Sequence, residues 1–463
     1  MVAAAPLGGS YDPASFRDPL SRVFHADGDV YRTLSPEGLE GWHALRESAC
    51  FTDWMADGRL VATEELVDDG STYLKHQRIP FWSHPYEWSF SMLRDAALLH
   101  LDLLEEALGA GLTMKDATPY NIQFVDLSPV FVDVGSFSRY ETGEPWLGYR
   151  QFCQQFLYPL LLRAHADVPF QPLLRGSLDG IPPATARAFL RSGRTFKPGV
   201  LLDVALQARA DRSTADRSDD RNVRSELSAA GFNAEMIVRN VRRLRKVMEK
   251  TRWSPASSPW SDYASCGHVA DQRGIKEAFV RQVAGQRHRR LVWDLGANDG
   301  HFSAAVADVA EVVIAMDADE VTVDNTYRRL KTNGPRNVLP LVMNLADPSP
   351  GLGWRGAERL PLEGRGTPDL VLMLAVIHHL VIGSNLPLAS VIDWLATLGS
   401  EVVLEWVPLD DPMSQRLTAN KRRHEVHADY TEEDLRRYCG QHFSITTEQP
   451  CETRRLFHLT PLR

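Results

Sequence analysis

The strongest constraint on the fold is a regular alternation of segment types that begins near residue 261. Short apolar runs typical of strands lie at 291–295, 312–316, 338–343, 369–374, 402–407 and, with fewer apolar residues, 443–447. Helical stretches such as 301–309 and 431–439 lie between these runs. Strands that alternate with helices form βαβ units, whose crossovers are right-handed and whose sheet is parallel. The sequence therefore predicts a doubly wound α/β domain over residues 261–463.

The first predicted strand ends in the segment WDLGANDGHFS at 293–303, which combines an acid with two glycines. In open α/β sheets, ligands bind beyond the carboxyl ends of the strands. Gly296 and Gly300 are spaced GxxxG, whereas a turn that binds a pyrophosphate has the spacing GxGxxG. Asp294 also places a carboxylate where a dinucleotide would bring its phosphates. This combination favours a ligand with a cationic amine and no phosphate, and S-adenosylmethionine (SAM) is such a ligand.

Polar residues at the next two strand ends suit an adenosine group. Asp317 ends the second strand, seventeen positions after Gly300, where a carboxylate can accept hydrogen bonds from both ribose hydroxyls. Asn344 ends the third strand and can hydrogen-bond the adenine amino group, with the backbone N–H of Leu345 near a ring nitrogen. The predicted cofactor site further contains Asn298, Phe302, Ala318, Leu374 and Ala375. A nicotinamide or flavin cofactor, and a domain that binds no cofactor, are the alternatives.

Three segments carry a resemblance to a known family. WDLGANDGHFS resembles the first motif of class I SAM-dependent methyltransferases, AMDAD their acidic second motif and DLVLMLAVIHHL their fourth-strand motif. This resemblance covers 261–463 and implies a Rossmann-like sheet, SAM as the cofactor and methyltransferase activity. A looser similarity over most of the chain is to methyltransferases of a nodulation-protein-like group, and it implies no settled substrate. It is carried by MKDATPYNIQF, PVFVDVGSF, GEPWLGYRQFC, LVMNLADPSPGLGW and HADYTEEDL.

Two histidines follow the fourth strand, beside the expected position of the methyl group. An imidazole titrates near pH ~6.5, so His378 or His379 could deprotonate a hydroxyl or an amine. Alternatively, one histidine caps the following helix and the other packs inward. Glu405 could build a metal site with these histidines and with His424 or His427. Because magnesium prefers oxygen ligands, we expect no metal.

The first 170 residues predict an α+β domain that resembles a degenerate kinase. Asp116 and Asn121 stand five positions apart, and Asp133 follows two short strands later in a D-V-G triplet. In kinases, an Asp of the catalytic loop accepts the substrate proton, while an Asn five residues later and the Asp of D-F-G hold magnesium ions. The three residues therefore resemble the catalytic core of the protein-kinase and aminoglycoside-phosphotransferase superfamily.

Departures from the kinase pattern predict a domain without kinase activity. Lys115 replaces the usual Arg or Gly before the Asp, and no glycine-rich phosphate loop precedes the predicted hairpin at 60–79, which turns at 68–70. Lys75 is the stand-in for the phosphate-binding lysine. Such a domain could position the acceptor or mediate dimerisation. The alternative is a hairpin in which Asn121 and Asp133 satisfy local backbone groups.

Residues 171–260 predict a helical connector. Helices are expected at 183–191, 201–210 and 233–250, and a polar tract at 209–224 mixes arginines with aspartates. The last helix carries a basic face, which either binds RNA or an acidic partner or is simply solvated. Trp253, Trp260 and Tyr263 are candidates for a lid over the cofactor or for packing between domains.

Composition excludes several classes of function. The net charge is −9, so no overall basic field recruits nucleic acid or anionic lipid. The five cysteines form no CxxC pair, which excludes a disulfide scaffold and a cysteine-rich zinc site and suits a reducing cytoplasm. The N-terminal residues lack the basic and apolar regions of a secretory signal. The uncharged stretch 370–392 contains Gly383 and Pro387, which divide it into a buried strand and a helix.

These observations predict an enzyme that moves a methyl group from SAM to an oxygen or nitrogen atom of a small metabolite or natural-product intermediate. The alternatives are a methyltransferase that acts on RNA or protein, and a bifunctional chain whose N-terminal domain binds ATP. We expect a cytoplasmic protein with a small-molecule acceptor, without a nucleic-acid or membrane partner. A homodimer is compatible with the sequence.

Overall fold

The computed structural model describes residues 5–190, 203–204, 233–255, 269–419, 421–422 and 427–462, with side chains omitted at 269–271. The chain forms two units. Unit 1 comprises Met1–Ser254 and Leu352–Arg359, and unit 2 comprises Pro255–Gly351 and Leu360–Arg463. The division into domains at 1–170, 171–260 and 261–463 stays a prediction. The predicted helix at 201–210 and the polar tract at 209–224 lie outside the described residues, apart from 203 and 204.

Unit 1 begins with a five-stranded antiparallel sheet in the order β1-β2-β3-β5-β4. The strands are β1 (Ser10–Tyr11), β2 (Ser21–Ala26), β3 (Asp29–Leu34), β4 (Thr63–Asp68) and β5 (Ser71–His76). Between β3 and β4 the chain forms helices α1 (Pro36–Arg46) and α2 (Ala49–Ala56). The predicted hairpin is confirmed, because β4 pairs with β5 and both turn residues, Asp69 and Gly70, have positive φ, as a two-residue hairpin turn requires.

The rest of unit 1 consists of helices and two small antiparallel pairs, β6 with β9 and β7 with β8. In chain order the elements are α3 (Phe90–Gly109), β6 (Leu112–Met114), β7 (Ile122–Val125), β8 (Ser128–Phe131), β9 (Phe137–Arg139), α4 (Tyr149–Phe152), α5 (Tyr158–Ala166), α6 (Gln171–Gly176), α7 (Pro183–Phe189) and α8 (Ala234–Lys250). A π-helical turn, Cys153–Leu157, joins α4 to α5.

Helix α8 carries the basic face that the sequence offers to RNA or to an acidic partner. The arginines of this face form ion pairs with acids of α3 instead: Arg242 Nε lies 2.7 Å from Glu105, and Arg245 Nε lies 2.6 Å from Asp102. Arg243 pairs with the buried Asp203. Because these charges are neutralised within unit 1, the helix does not present its full basic face to a partner.

Unit 2 contains a seven-stranded sheet in the order β12-β11-β10-β13-β14-β16-β15. The first five are parallel, and β16 is antiparallel to both neighbours. In chain order the elements are α9 (Val269–Ala284), β10 (Arg289–Leu295), α10 (His301–Ala305), β11 (Ala310–Asp317), α11 (Glu320–Asn333), β12 (Val338–Val342), β13 (Leu370–Met373), α12 (Leu388–Thr397), β14 (Glu401–Trp406), α13 (Pro412–Thr418), α14 (Glu432–His442), β15 (Phe443–Cys451) and β16 (Arg454–Pro461).

This sheet confirms the predicted doubly wound α/β fold and corrects one detail. The sequence predicted six strands, whereas a seventh, β16, inserts between β14 and β15 and makes that edge antiparallel. The strand order reverses between β10 and β13, which is the switch point where such sheets bind ligands. This is the strand order of the class I methyltransferase fold. No helix in the described part of the chain is long and apolar enough to cross a membrane.

Candidate active site

A cavity of about 310 Å³ opens at the carboxyl ends of the parallel strands of unit 2. Most of the residues predicted to bind the cofactor line it: Asp294, Gly296, Asn298, Phe302, Asp317, Ala318, Asn344, Leu345, Leu374 and Ala375. Gly300 does not line the cavity. Gly300 is the residue before α10 and has a φ of 69°, so a glycine at this position serves the conformation of the turn. The binding roles of these residues stay predictions.

Asp294 lies at the end of β10 and is only 2% exposed. Burial raises the pKa of its carboxyl to about 7, although the Ser303 hydroxyl, which donates a 2.5 Å hydrogen bond to Oδ2, opposes the rise. The following turn needs a glycine, because Gly296 has a φ of 73° and a Cβ there would lie 2.3 Å from a methyl group of Val376. The turn thus brings bare backbone to the cavity beside a buried acid.

Asp317 lies at the end of β11 with its carboxylate held by two backbone N–H groups. Asn298 donates to Oδ2 at 2.8 Å, and Asp319 donates to Oδ1 at 2.9 Å. Burial raises the pKa of Asp317, and these two donors oppose the rise. Asp319 caps α11, accepting from the backbone N–H groups of Val321 and Thr322, so its carboxylate serves the helix. Each oxygen of Asp317 keeps a lone pair for a further donor.

Asn344 and Leu345 follow β12 on the opposite side of β11 from Asp294. The Asn344 side chain is exposed, and its Oδ1 accepts a 3.0 Å hydrogen bond from the Ala346 backbone. This turn fixes the direction of the amide, leaving the second Oδ1 lone pair and the Nδ2 group for a ligand.

The two histidines after β13 have different positions. His379 lines the cavity, whereas His378 is 1% exposed and stacks behind it, with ring centroids 4.1 Å apart. Burial lowers the pKa of His378 to about 2, and burial together with Arg454 lowers the pKa of His379. The position of His379 suits contact with an acceptor, and that of His378 does not. Their catalytic role stays a prediction.

Sequence reasoning missed a group of charged residues that lines the cavity on the opposite side from Asp317 and Asn344. Lys276 of α9 and Arg454 of β16 both line the cavity and both contact Glu405 Oε1, at 2.7 Å and 3.1 Å. Arg454 also pairs with the buried Asp411 at 2.8 Å. No local motif marks these residues, because three separate elements bring them together.

A metal site receives no support in unit 2. Within the described ranges, no group of three or more His, Cys, Asp or Glu side chains is arranged to hold a metal ion. His427 Nε2 lies 3.1 Å from the Asn385 carbonyl oxygen, and His424 lies outside the described residues. Trp260 and Tyr263, two of the three residues that the sequence suggested for a lid, also lie outside the described residues.

The three kinase-like residues of unit 1 lie together, with an arginine among them. Asn121 Nδ2 donates to Asp133 Oδ2 at 3.2 Å, and Arg32 of β3 donates to Asp133 Oδ1 at 2.6 Å. Burial and the charge of Asp133 raise the pKa of Asp116. Lys75 is not the stand-in that the sequence suggested. It forms an ion pair with Asp29. In the β3–β5 register Lys75 is aligned with Tyr31, the residue before Arg32, so Lys75 and Arg32 lie on different faces of the sheet.

The chain is similar to the nodulation protein NoeA of Rhizobium meliloti (strain 1021), with 34% identity over 449 residues that cover 94% of this chain and 92% of NoeA. No protein-family model matches the chain. Among solved structures, the N-methyltransferase NodS from Bradyrhizobium japonicum WM9 is 11% identical, with 42% of this chain and 98% of NodS covered and a TM-score of 0.31. Magnesium protoporphyrin IX methyltransferase (ChlM) from Synechocystis PCC 6803 with bound SAM is 18% identical, with coverages of 45% and 86% and a TM-score of 0.30.

Proposed function

This chain belongs to the family of the nodulation protein NoeA, and from that premise and the cavity of unit 2 we propose that it is a SAM-dependent methyltransferase. The methyl group goes to an oxygen or nitrogen atom of a small metabolite or natural-product intermediate. One observation carries the proposal: polar groups at three neighbouring strand ends follow the order of the chemical groups in SAM.

Strands β12, β11 and β10 are neighbours, and each ends in a polar residue that lines the cavity. Asn344 would bind the adenine amino group, Asp317 the two ribose hydroxyls and Asp294 the α-ammonium. Adjacent strands lie about 4.8 Å apart, so the three positions span roughly 10 Å, a length that an adenosine with an amino-acid tail can bridge. The same order would be unsuited to a dinucleotide, whose phosphates would meet the carboxylate of Asp294.

The residues present fit the cofactor chemically. Asp294 is a buried carboxyl whose pKa rises to about 7, and an ammonium group would offset the cost of burying its charge. The turn at Gly296 brings bare backbone to the cavity, where a Cβ would instead collide with Val376. Lys276 uses one Nζ hydrogen bond on Glu405, and its remaining N–H groups can meet the cofactor carboxylate.

SAM supplies, when bound, a methyl group on a positively charged sulfur. The protein contributes position, because Asp317 and Asp294 anchor two separate groups and an aligned nucleophile gains effective concentration without a special catalyst. His379 has a lowered pKa and is therefore neutral near pH 7, so one ring nitrogen can accept a proton from the acceptor.

Calorimetric titration with SAM tests the proposal directly. Wild-type protein should bind, whereas Asp294→Ala and Asp317→Ala should bind at least about tenfold more weakly, since each removes a charge-assisted contact. Asp308→Ala is a matched control, because Asp308 is an exposed acid of unit 2 outside the cavity. A wild-type protein that binds no SAM would end the proposal.

Unit 1 is proposed as a kinase-like scaffold without phosphoryl transfer. Five antiparallel strands with helices between the third and fourth support the kinase-like arrangement. The Arg32 guanidinium occupies Asp133 Oδ1, and in kinases the corresponding acid must be free for magnesium. ATP with magnesium should therefore leave the melting temperature unchanged, and a rise abolished by Asp133→Ala would instead support a bifunctional chain. A cytoplasmic location and a homodimer stay predictions.

A further inference from the structure

The buried carboxylate of Glu405 presents one oxygen that no group of the described residues satisfies. Glu405 is fully buried, and its Oε1 accepts from Lys276 and Arg454. Within the described residues its Oε2 has no hydrogen-bond partner, although Glu405 lines the cavity. Buried polar atoms are nearly always hydrogen-bonded, so an unsatisfied carboxylate oxygen at a cavity wall points to a donor on a ligand.

The neighbouring charges hold Glu405 in this orientation. Arg454 bridges Glu405 and Asp411, with its Nε and Nη2 on the two oxygens of Asp411 at 2.8 Å and 3.1 Å. Lys276 reaches the same Oε1 from α9. Because both cations bind one oxygen of Glu405, the other oxygen is left facing away from them.

The sheet register places Glu405 at the acceptor end of the cavity. Asp294 of β10 is aligned with Leu372 of β13, which is aligned with Val403 of β14. Glu405 is two residues beyond Val403, so it lies on the same face as Asp294, two strands away and nearer the carboxyl edge. With strands about 4.8 Å apart and about 3.3 Å per residue, the two positions are roughly 12 Å apart, on the side away from the ribose and adenine positions.

We propose that Glu405 Oε2 binds the nucleophilic nitrogen of an amine acceptor, an inference that rests on the proposed methyltransferase function. The neutral amine donates an N–H hydrogen bond to Oε2 and attacks with its lone pair. The N–C bond forms while the C–S bond breaks, and the electron pair of that bond goes to sulfur. The positive charge thereby passes from sulfur to nitrogen, and the product leaves as a methylated ammonium.

The charge change favours nitrogen over oxygen at this position. A carboxylate oxygen stabilises the positive charge that develops on an attacking amine, whereas it repels the negative charge of an attacking alkoxide. The side chain therefore acts as a specificity-determining contact to the acceptor.

Sinefungin and S-adenosylhomocysteine (SAH) serve as the two probes, because they need no identified acceptor. Sinefungin has a carbon in place of the sulfur of SAM and an amine in place of its methyl group, whereas SAH keeps the sulfur and lacks the methyl group. Calorimetry should show that wild-type protein binds sinefungin about tenfold more tightly than SAH, since its N–H groups reach a charged acceptor atom. Glu405→Gln replaces the charged Oε2 with an amide nitrogen or an uncharged amide oxygen. This variant should bind sinefungin and SAH about equally, while its affinity for SAH should differ from that of wild type by less than about threefold.

Asp308→Asn is the control, because Asp308 is an exposed acid of unit 2 outside the cavity and outside the charged group around Glu405. It should keep the preference for sinefungin. If Glu405→Gln lowers the melting temperature so far that it cannot be titrated, Glu405→Asp, which keeps the charge but withdraws the oxygen, should also lose the preference. An equal preference for sinefungin in wild type and the Glu405 variants overturns the proposal, whereas absence of SAH binding to wild type refutes the cofactor assignment beneath it.

Discussion

The affinity of unit 2 for SAH should depend on pH through Asp294. Its carboxyl has a pKa of about 7 in the free protein, because it is fully buried. Binding an ammonium requires the ionised carboxylate, and the amine of SAH, a free amino acid, stays protonated at and below neutral pH. The affinity should therefore fall as the pH drops below about 7.4.

The size of the effect follows from the titration of Asp294. At about pH 7.4, roughly 70% of the protein has this carboxyl ionised, and at about pH 5.5 only about 3% does, so the affinity should fall about twentyfold.

Calorimetric titrations of SAH at constant ionic strength measure this profile. Asp294→Asn should bind more weakly at pH ~7.4 and lose the acid limb, because no carboxyl remains to be protonated there. Asp308→Asn should keep the wild-type profile. A wild-type affinity that is flat from about pH 7.4 to 5.5 would refute the reasoning, and an unchanged acid limb in Asp294→Asn would assign the titration to another group.

Four further outcomes follow from the structure. The pKa of Asp294 is raised in the folded protein, so the stability that its protonated carboxyl contributes is present below pH ~4 and is lost as the pH rises through about 7. Without ligand, Asp294→Asn should therefore have a higher melting temperature than wild type at pH ~8 and the same melting temperature near pH ~4. Asp317→Asn should weaken SAH binding about tenfold in calorimetry, because the amide cannot accept both ribose hydroxyls; binding within twofold of wild type would contradict the ribose role. Gly296→Ala should abolish SAH binding in calorimetry, since its Cβ would collide with Val376, and unchanged binding would refute this point. Arg32→Met should lower the free energy of unfolding in urea by about 2–3 kcal/mol, because it leaves the partly buried Asp133 carboxylate without its ion pair. An unchanged free energy of unfolding would refute that role of the ion pair.

Local sequence patterns were sufficient for the cofactor side of the site. The apolar run of β10, the positive φ at Gly296 and the acid that ends β11 all depend on neighbouring residues in the chain. Hydrophobic periodicity and turn chemistry act over a few residues, so they can be read without the fold. Parallel strands then place their carboxyl ends at one edge, which brings Asp294 and Asp317 to one cavity.

Residues that are distant in sequence could not be paired in this way. Arg32 and Asp133 are separated by 101 positions, and their ion pair occupies a carboxylate oxygen that the spacing of the acids alone left open. Arg454 lies on β16, a strand that the sequence did not reveal because its pattern blends with the preceding strand. It contacts Glu405 only because β16 inserts beside β14.

By itself, the sequence determined the class of fold, the strand ends that line the cavity and the acids placed there. Only the tertiary structure decided that His379 rather than His378 lines the cavity, that Arg242 and Arg245 of α8 pair with α3 and that Glu405 Oε2 has no hydrogen-bond partner among the described residues. The physical reason is the distance along the chain over which each kind of interaction acts. Backbone geometry and apolar periodicity are encoded locally, whereas the partner of a buried charge depends on which elements pack around it, and no short segment contains that information.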